Sequence, residues 1–204
     1  LRLPAQLLCS IIDLRGDLMI AERLQEVISN IEASKAKRNA AFDHDVLLVA
    51  VTKNHDIYAM REAIDAGVTD IGENRIQEAK EKFETLDRQV TWHLIGHLQT
   101  NKVKQAVRMF DLIHSVDTLH LAEAIDKAAA GIGKVQKVLV QVNLAQEDSK
   151  SGIYEDELMA LLQKVDEMNN LQLMGLTCIA PNYEDVEECR PVFAEMRKIF
   201  DKVK

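Results

Sequence analysis

Val46-Leu47-Leu48-Val49-Ala50-Val51-Thr52-Lys53 is an apolar run that ends on a single lysine. Bounded by His44-Asp45 and Asn54-His55-Asp56, it has the length and valine content of a strand covered on both faces, as in a parallel sheet. Lys53 then stands where the strand exits. A lysine in that place is ordinarily a solvated charge, because lysine is seldom fully buried. Its meaning therefore depends on what surrounds it.

Working outward, Leu24, Val27, Ile28 and Ile31 fall at helical spacing between Ile20 and about Lys37 and predict an amphipathic helix ahead of the strand. After the strand, Ile57, Met60 and Ile64 mark a helix that stops at Gly67, a residue suited to a left-handed cap. The strand-helix pattern then recurs. Strands are expected at 68–73, 90–96, 112–116, 135–143 and 171–179. Their helices carry the stripes Ile76/Ala79/Phe83/Leu86, Val103/Val107/Phe110, Leu121/Ala122/Ile125/Ala129, Leu158/Leu161/Leu162/Val165/Met168 and Phe193/Met196/Phe200/Val203.

Repeated strand-helix units with short connections call for a parallel sheet with right-handed crossovers. A doubly wound sheet normally carries a glycine-rich phosphate loop after its first strand, whereas this turn reads Thr52-Lys53-Asn54-His55-Asp56. The expected fold is therefore α/β, a TIM-type (β/α) barrel.

A chain of 204 residues with 47% hydrophobic content can bury a core and fits one domain. A net charge of −8 and a pI near 5.3 speak against binding to a phosphate backbone, so nucleic acid is not an expected partner. Cys9, Cys178 and Cys189 form no CxxC pair, which points away from a zinc site or disulfide framework and toward a reducing, cytoplasmic setting. No apolar run reaches the roughly 20 residues of a membrane helix. Leu1 to Leu18 matches no signal peptide and is expected to be a non-native or disordered extension, with Met19 as the natural start and 19–204 as the domain.

In parallel barrels, reactive groups gather at the strand C-terminal ends. Those ends here are Lys53, Glu73-Asn74, Gly96-His97, Ser115-Asp117, Asn143 and Thr177-Cys178. Polar groups from several strands converging on one lysine exceed what a solvated charge needs. An apolar strand also disfavours the ammonium form by desolvation, and a neutral amine attacks aldehydes. That permits a Schiff base with either a carbonyl substrate or pyridoxal phosphate.

Two further stretches carry a resemblance: Trp92-His93-Leu94-Ile95-Gly96-His97-Leu98-Gln99-Thr100-Asn101-Lys102 and Gly72-Glu73-Asn74-Arg75-Ile76-Gln77-Glu78. With Ala50-Val51-Thr52-Lys53, His114-Ser115-Val116-Asp117, the segment from Asn143 through Glu147 to Gly152, and Gly175-Leu176-Thr177-Cys178-Ile179-Ala180-Pro181, the chain closely resembles the pyridoxal phosphate homeostasis protein family. Members look like the barrel domain of alanine racemase standing alone. The resemblance implies that Lys53 holds pyridoxal 5′-phosphate as a Schiff base, that Asn74 lies beside the cofactor and that His93 faces the barrel interior near the ring. For His93, the plainer alternative is a hydrogen-bonded core residue. Thr177 is expected to offer a hydroxyl to the site, and Cys178 to be a small packed residue.

The family pattern continues past the sixth helix with two more strands, whereas this sequence stops at Lys204. The expectation is therefore an incomplete barrel with about six of the eight strand-helix units and one helix in front, with weaker cofactor affinity and poorer stability. The implied function is intracellular vitamin B6 homeostasis: a monomeric carrier that supplies pyridoxal phosphate to apoenzymes, with no catalytic residue and no metal. A racemase-type enzyme is the alternative, but a two-base racemase needs a proton donor on each face of its substrate, and no second acid-base residue is evident. A cofactor-free Schiff-base aldolase is the third reading.

Overall fold

The structure, a computed structural model, describes residues 20–38, 44–144 and 151–204. The expected extension at 1–18, Met19 and positions 145–150 of the Asn143–Gly152 segment lie outside the described residues. The chain divides into two compact units, with the boundary in sequence between His93 and Leu94.

The first unit contains α1 (Ile20–Lys35), β1 (Ala50–Val51), α2 (Ile57–Asp65), β2 (Asp70–Glu73), α3 (Ile76–Thr85) and most of β3 (Thr91–Leu94). The second contains α4 (Val103–Met109), β4 (Leu112–Val116), α5 (Leu119–Ala130), β5 (Gln136–Val142), α6 (Glu155–Asp166), β6 (Leu171–Cys178) and α7 (Cys189–Val203). Strands lie side by side in chain order, β1-β2-β3 in the first unit and β4-β5-β6 in the second. The pairings β1–β2, β4–β5 and β5–β6 are parallel. This is the alternation expected from the periodicity.

Local chemistry accounts for the helix boundaries. Asp56 caps α2 by accepting from the Ala59 N–H, and Thr118 caps α5 by accepting from the Leu121 N–H. The turn after α2 runs through Gly67 at φ +112°, a backbone conformation that side-chain-bearing residues rarely adopt. The α5 stripe Leu121, Ala122, Ile125 and Ala129 is no more than 3% exposed. Burying a leucine or isoleucine completely contributes about 1.5–3 kcal/mol. The ammonium of Lys134 donates to the carbonyls of Val107 and Phe110 and so closes the end of α4.

Two expectations shift. The strand expected over 46–53 narrows to Ala50–Val51, because the facing row of β2 begins only at Ile71 opposite Ala50. Upstream of that row, Val68 is engaged with Ala63 in the turn leaving α2. In α7 the covered line is centred on Ile199 and Val203, while Phe193 is 54% exposed. Among the described residues no helix is long and apolar enough to cross a membrane, and no cluster of His, Cys, Asp or Glu could hold a metal ion.

Candidate functional site

Alternation along β1, β2 and β3 decides which side chains share a face. The backbone ladder runs on through Thr52, whose N–H donates to the Gly72 carbonyl at 3.0 Å. With Ala50 opposite Ile71 and Val51 opposite Gly72, Thr52 stands opposite Glu73 and Lys53 opposite Asn74. The Thr52 hydroxyl donates to Glu73 Oε1 at 2.6 Å, and Glu73 in turn accepts from Lys82 of α3 at 2.7 Å. Thr52 and Glu73 therefore face α3. Alternation carried one residue past these positions assigns Lys53, in the turn after β1, and Asn74, just after β2, to the opposite face.

The third strand obeys the same rule. The Thr91 N–H donates to the Thr69 carbonyl, which places Thr91 opposite Asp70, Trp92 opposite Ile71 and His93 opposite Gly72. Trp92 meets Phe83 of α3 edge to face, with ring centroids 5.3 Å apart. His93 consequently shares the face of Lys53 and Asn74, one level below them, beside the buried side-chain-less Gly72.

His93 is 1% exposed, and its Nε2 lies 2.8 Å from Oδ1 of Asp70. A carboxylate only accepts, so Nε2 carries the proton in this bond. Burial pushes the Asp70 carboxyl up, but hydrogen bonds from His93 and Thr69 outweigh it and hold the group below its ordinary value. Asp70 was not singled out from sequence. Its place, two residues before Gly72 and four before Asn74 on one strand face, is the signal that marks it.

Lys53 is partly buried. It occupies the second position of the turn Thr52-Lys53-Asn54-His55, closed by the His55 N–H on the Thr52 carbonyl at 3.1 Å. Asn54 follows at φ +63°, a left-handed conformation that asparagine tolerates. Among the described residues the Lys53 amine makes no hydrogen bond and no ion pair, and the same holds for the Asn74 amide. A crevice lined by Leu24, Ala50, Val51, Thr52, His55 and Met60 lies between α1, β1 and α2.

Glu73 corrects one part of the strand-end reading. Its side chain does not converge with Lys53 but turns toward α3 and is fully buried. Burial raises its carboxyl above the ordinary value despite hydrogen bonds from Lys82 and Thr52.

The remaining strand-end groups belong to the second unit. Ser115 and Asn143 are buried there, Asp117, Thr177 and Cys178 partly buried, and His97 exposed. Thr177 lies opposite Gln141 in the β5–β6 register. Burial pushes the Cys178 thiol up to about 11, so it stays protonated and inert near neutral pH, as expected of a packed residue. Asn101 is exposed within the turn Thr100–Lys102, and no side chain caps α4.

Residues 23–204 match the family model described as the alanine racemase N-terminal domain. Over 183 residues the chain is 36% identical to the pyridoxal phosphate homeostasis protein of Aquifex aeolicus strain VF5, covering 89% of this chain and 80% of that protein. The chain belongs to the pyridoxal phosphate homeostasis protein family. The Helicobacter pylori (strain 26695) member of this family is 34% identical over 186 residues, covering 90% of this chain and 83% of its own length.

Among solved structures, PipY of Synechococcus elongatus PCC7942 with pyridoxal phosphate bound is 37% identical with a TM-score of 0.76, covering 90% of this chain and 81% of that one. Alanine racemase of Clostridium difficile 630, at 16% identity and a TM-score of 0.69 over 89% of this chain and 47% of its own, shares the fold. The pyridoxal phosphate homeostasis protein family thus carries with it the (β/α) barrel class expected from the strand-helix alternation.

Proposed function

We propose that this chain captures pyridoxal 5′-phosphate through the Lys53 amine, holds it, and hands it to apoenzymes without turning over a substrate of its own. One observation carries the reading: at the end of β1 a partly buried lysine has no partner among the described residues and lies in register with an unengaged asparagine. The relatives named for pyridoxal phosphate homeostasis and the cofactor-bound PipY structure support it.

When bound, pyridoxal phosphate supplies an aldehyde that a primary amine can capture covalently. The donor set fits that group, since an amine tied into an ion pair would be a poor nucleophile and this one is not tied. Lys53 provides the nitrogen, and Asn74 provides an amide that can donate to or accept from the ring substituents. His93, braced by Asp70, forms the next level of the same face. The setting we assign is cytoplasmic and the carrier monomeric, with pyridoxal phosphate-dependent apoenzymes as its recipients.

Titration with pyridoxal phosphate should produce a yellow absorbance band in the wild type and none in Lys53→Ala. Exchange of amino-acid α-hydrogens into heavy water should not exceed that of free cofactor. Faster exchange would instead favour the racemase reading.

A further inference from the structure

The charged cluster behind β1 touches the backbone on both sides of Lys53. The ammonium of Lys82 spends its three donors on the Thr52 carbonyl, Glu73 Oε1 and Glu78 Oε1, each at 2.7 Å. Glu73 Oε1 also accepts from the Thr52 hydroxyl at 2.6 Å, and Glu78 Oε1 accepts from the Asn54 N–H at 2.6 Å. The residue before Lys53 is thus held at its hydroxyl and carbonyl, and the residue after it at its N–H. That last bond sits on the left-handed residue of the turn.

We propose that Glu73, Glu78 and Lys82 are positioning residues for the cofactor amine: from the helix side of the strand they fix the Thr52–Asn54 turn so that Lys53 points to the opposite face. This rests on Lys53 being the capturing amine. None of the three reaches that face, so their effect passes through the backbone. A turn held at one end only would let the lysine swing over several directions, and capture, in which Nζ bonds to the aldehyde carbon while C=O becomes C=N and one water leaves, needs a fixed approach. The cost of the arrangement is visible in Glu73, whose second oxygen, Oε2, is buried without a hydrogen-bond partner among the described residues. Burial also raises the Glu78 carboxyl, but the hydrogen bonds from Lys82 and Asn54 outweigh this and bring it below its ordinary value.

The test separates aiming from general integrity by using two ligands. Pyridoxal phosphate requires the amine, while pyridoxine 5′-phosphate has the same ring and phosphate but no aldehyde. Glu78→Ala should lower the rate of pyridoxal phosphate capture by at least about tenfold, the size of one lost charge-assisted hydrogen bond. Pyridoxine 5′-phosphate should bind as in the wild type. Glu78→Gln, which still accepts from Asn54, should recover most of the loss. Should Glu78→Ala fold poorly, Thr52→Val carries the same prediction through the hydroxyl bond to Glu73.

Equal weakening of both ligands, or wild-type capture in both variants, overturns the positioning role. A Lys53→Ala chain that still captures pyridoxal phosphate would instead overturn the carrier reading beneath it.

Discussion

The two faces of the β1–β2 pair carry the same kinds of residue in opposite states. On the side of α3, Lys82 is buried and its ammonium is saturated by Thr52, Glu73 and Glu78. On the other side, Lys53 is partly buried and unengaged among the described residues. Both amines serve the same strand end, yet one is spent on structure and the other is left available. Lysine at a strand terminus is thus not one kind of residue: alternation assigns it to a face, and the face assigns its chemistry.

The sharpest way to break that contrast is to exchange the fates of the two lysines. Lys53→Met should abolish pyridoxal phosphate capture, read by absorbance, while leaving the urea midpoint near that of the wild type. Lys82→Met should cost about 3–5 kcal/mol in urea unfolding, because it leaves the buried Glu73 carboxylate without its cation. If Lys53→Met proves the more destabilising of the two, the division of roles is wrong.

A smaller effect is expected from the brace behind His93. Asp70→Asn removes the carboxylate that the buried imidazole binds and should destabilise by about 1–3 kcal/mol at neutral pH. The sign of its pH dependence is fixed. The folded-state value of Asp70 is depressed, so its contribution is present above the unfolded carboxylate range and lost as pH falls through the folded value. Stability curves of wild type and variant should therefore converge in acid and separate toward neutrality.

Glu73→Gln should show the opposite slope with the smallest amplitude. Its carboxyl is raised by burial, so the native state holds that proton more tightly than the unfolded chain does. The stabilisation is fully present below the unfolded carboxylate value and is lost as pH rises through the folded one. The variant should lack this component, seen as a flatter thermal-melt profile on the mildly acidic side of neutrality.

Much of this was legible in the residues. The periodic stripes of α4, α5 and α6 named the buried faces, since a helix that packs on one side writes its packing into every third or fourth position. Lys53 and Asn74 were readable from the ends of their strands, and the register sets them side by side. Glu73 was misread because a glutamate next to an asparagine at a strand end looks like one polar site. Alternation sends the two side chains to opposite faces, and burial of Glu73 required a partner nine positions on. The Glu78–Lys82 spacing by itself describes only an ordinary i,i+4 pair. Nothing local in the chain says that Lys82 is also the third corner of a buried cluster. The shortened β1 has the same origin: an apolar run specifies a strand, but its paired length depends on where β2 begins.

Borohydride reduction of the full chain at a limiting amount of pyridoxal phosphate, followed by peptide mass mapping, tests the central claim most directly. The phosphopyridoxyl label should fall on the peptide containing Lys53, with Lys82 unmodified. A label on Lys82, or one spread over exposed lysines with Lys53 bare, would contradict it.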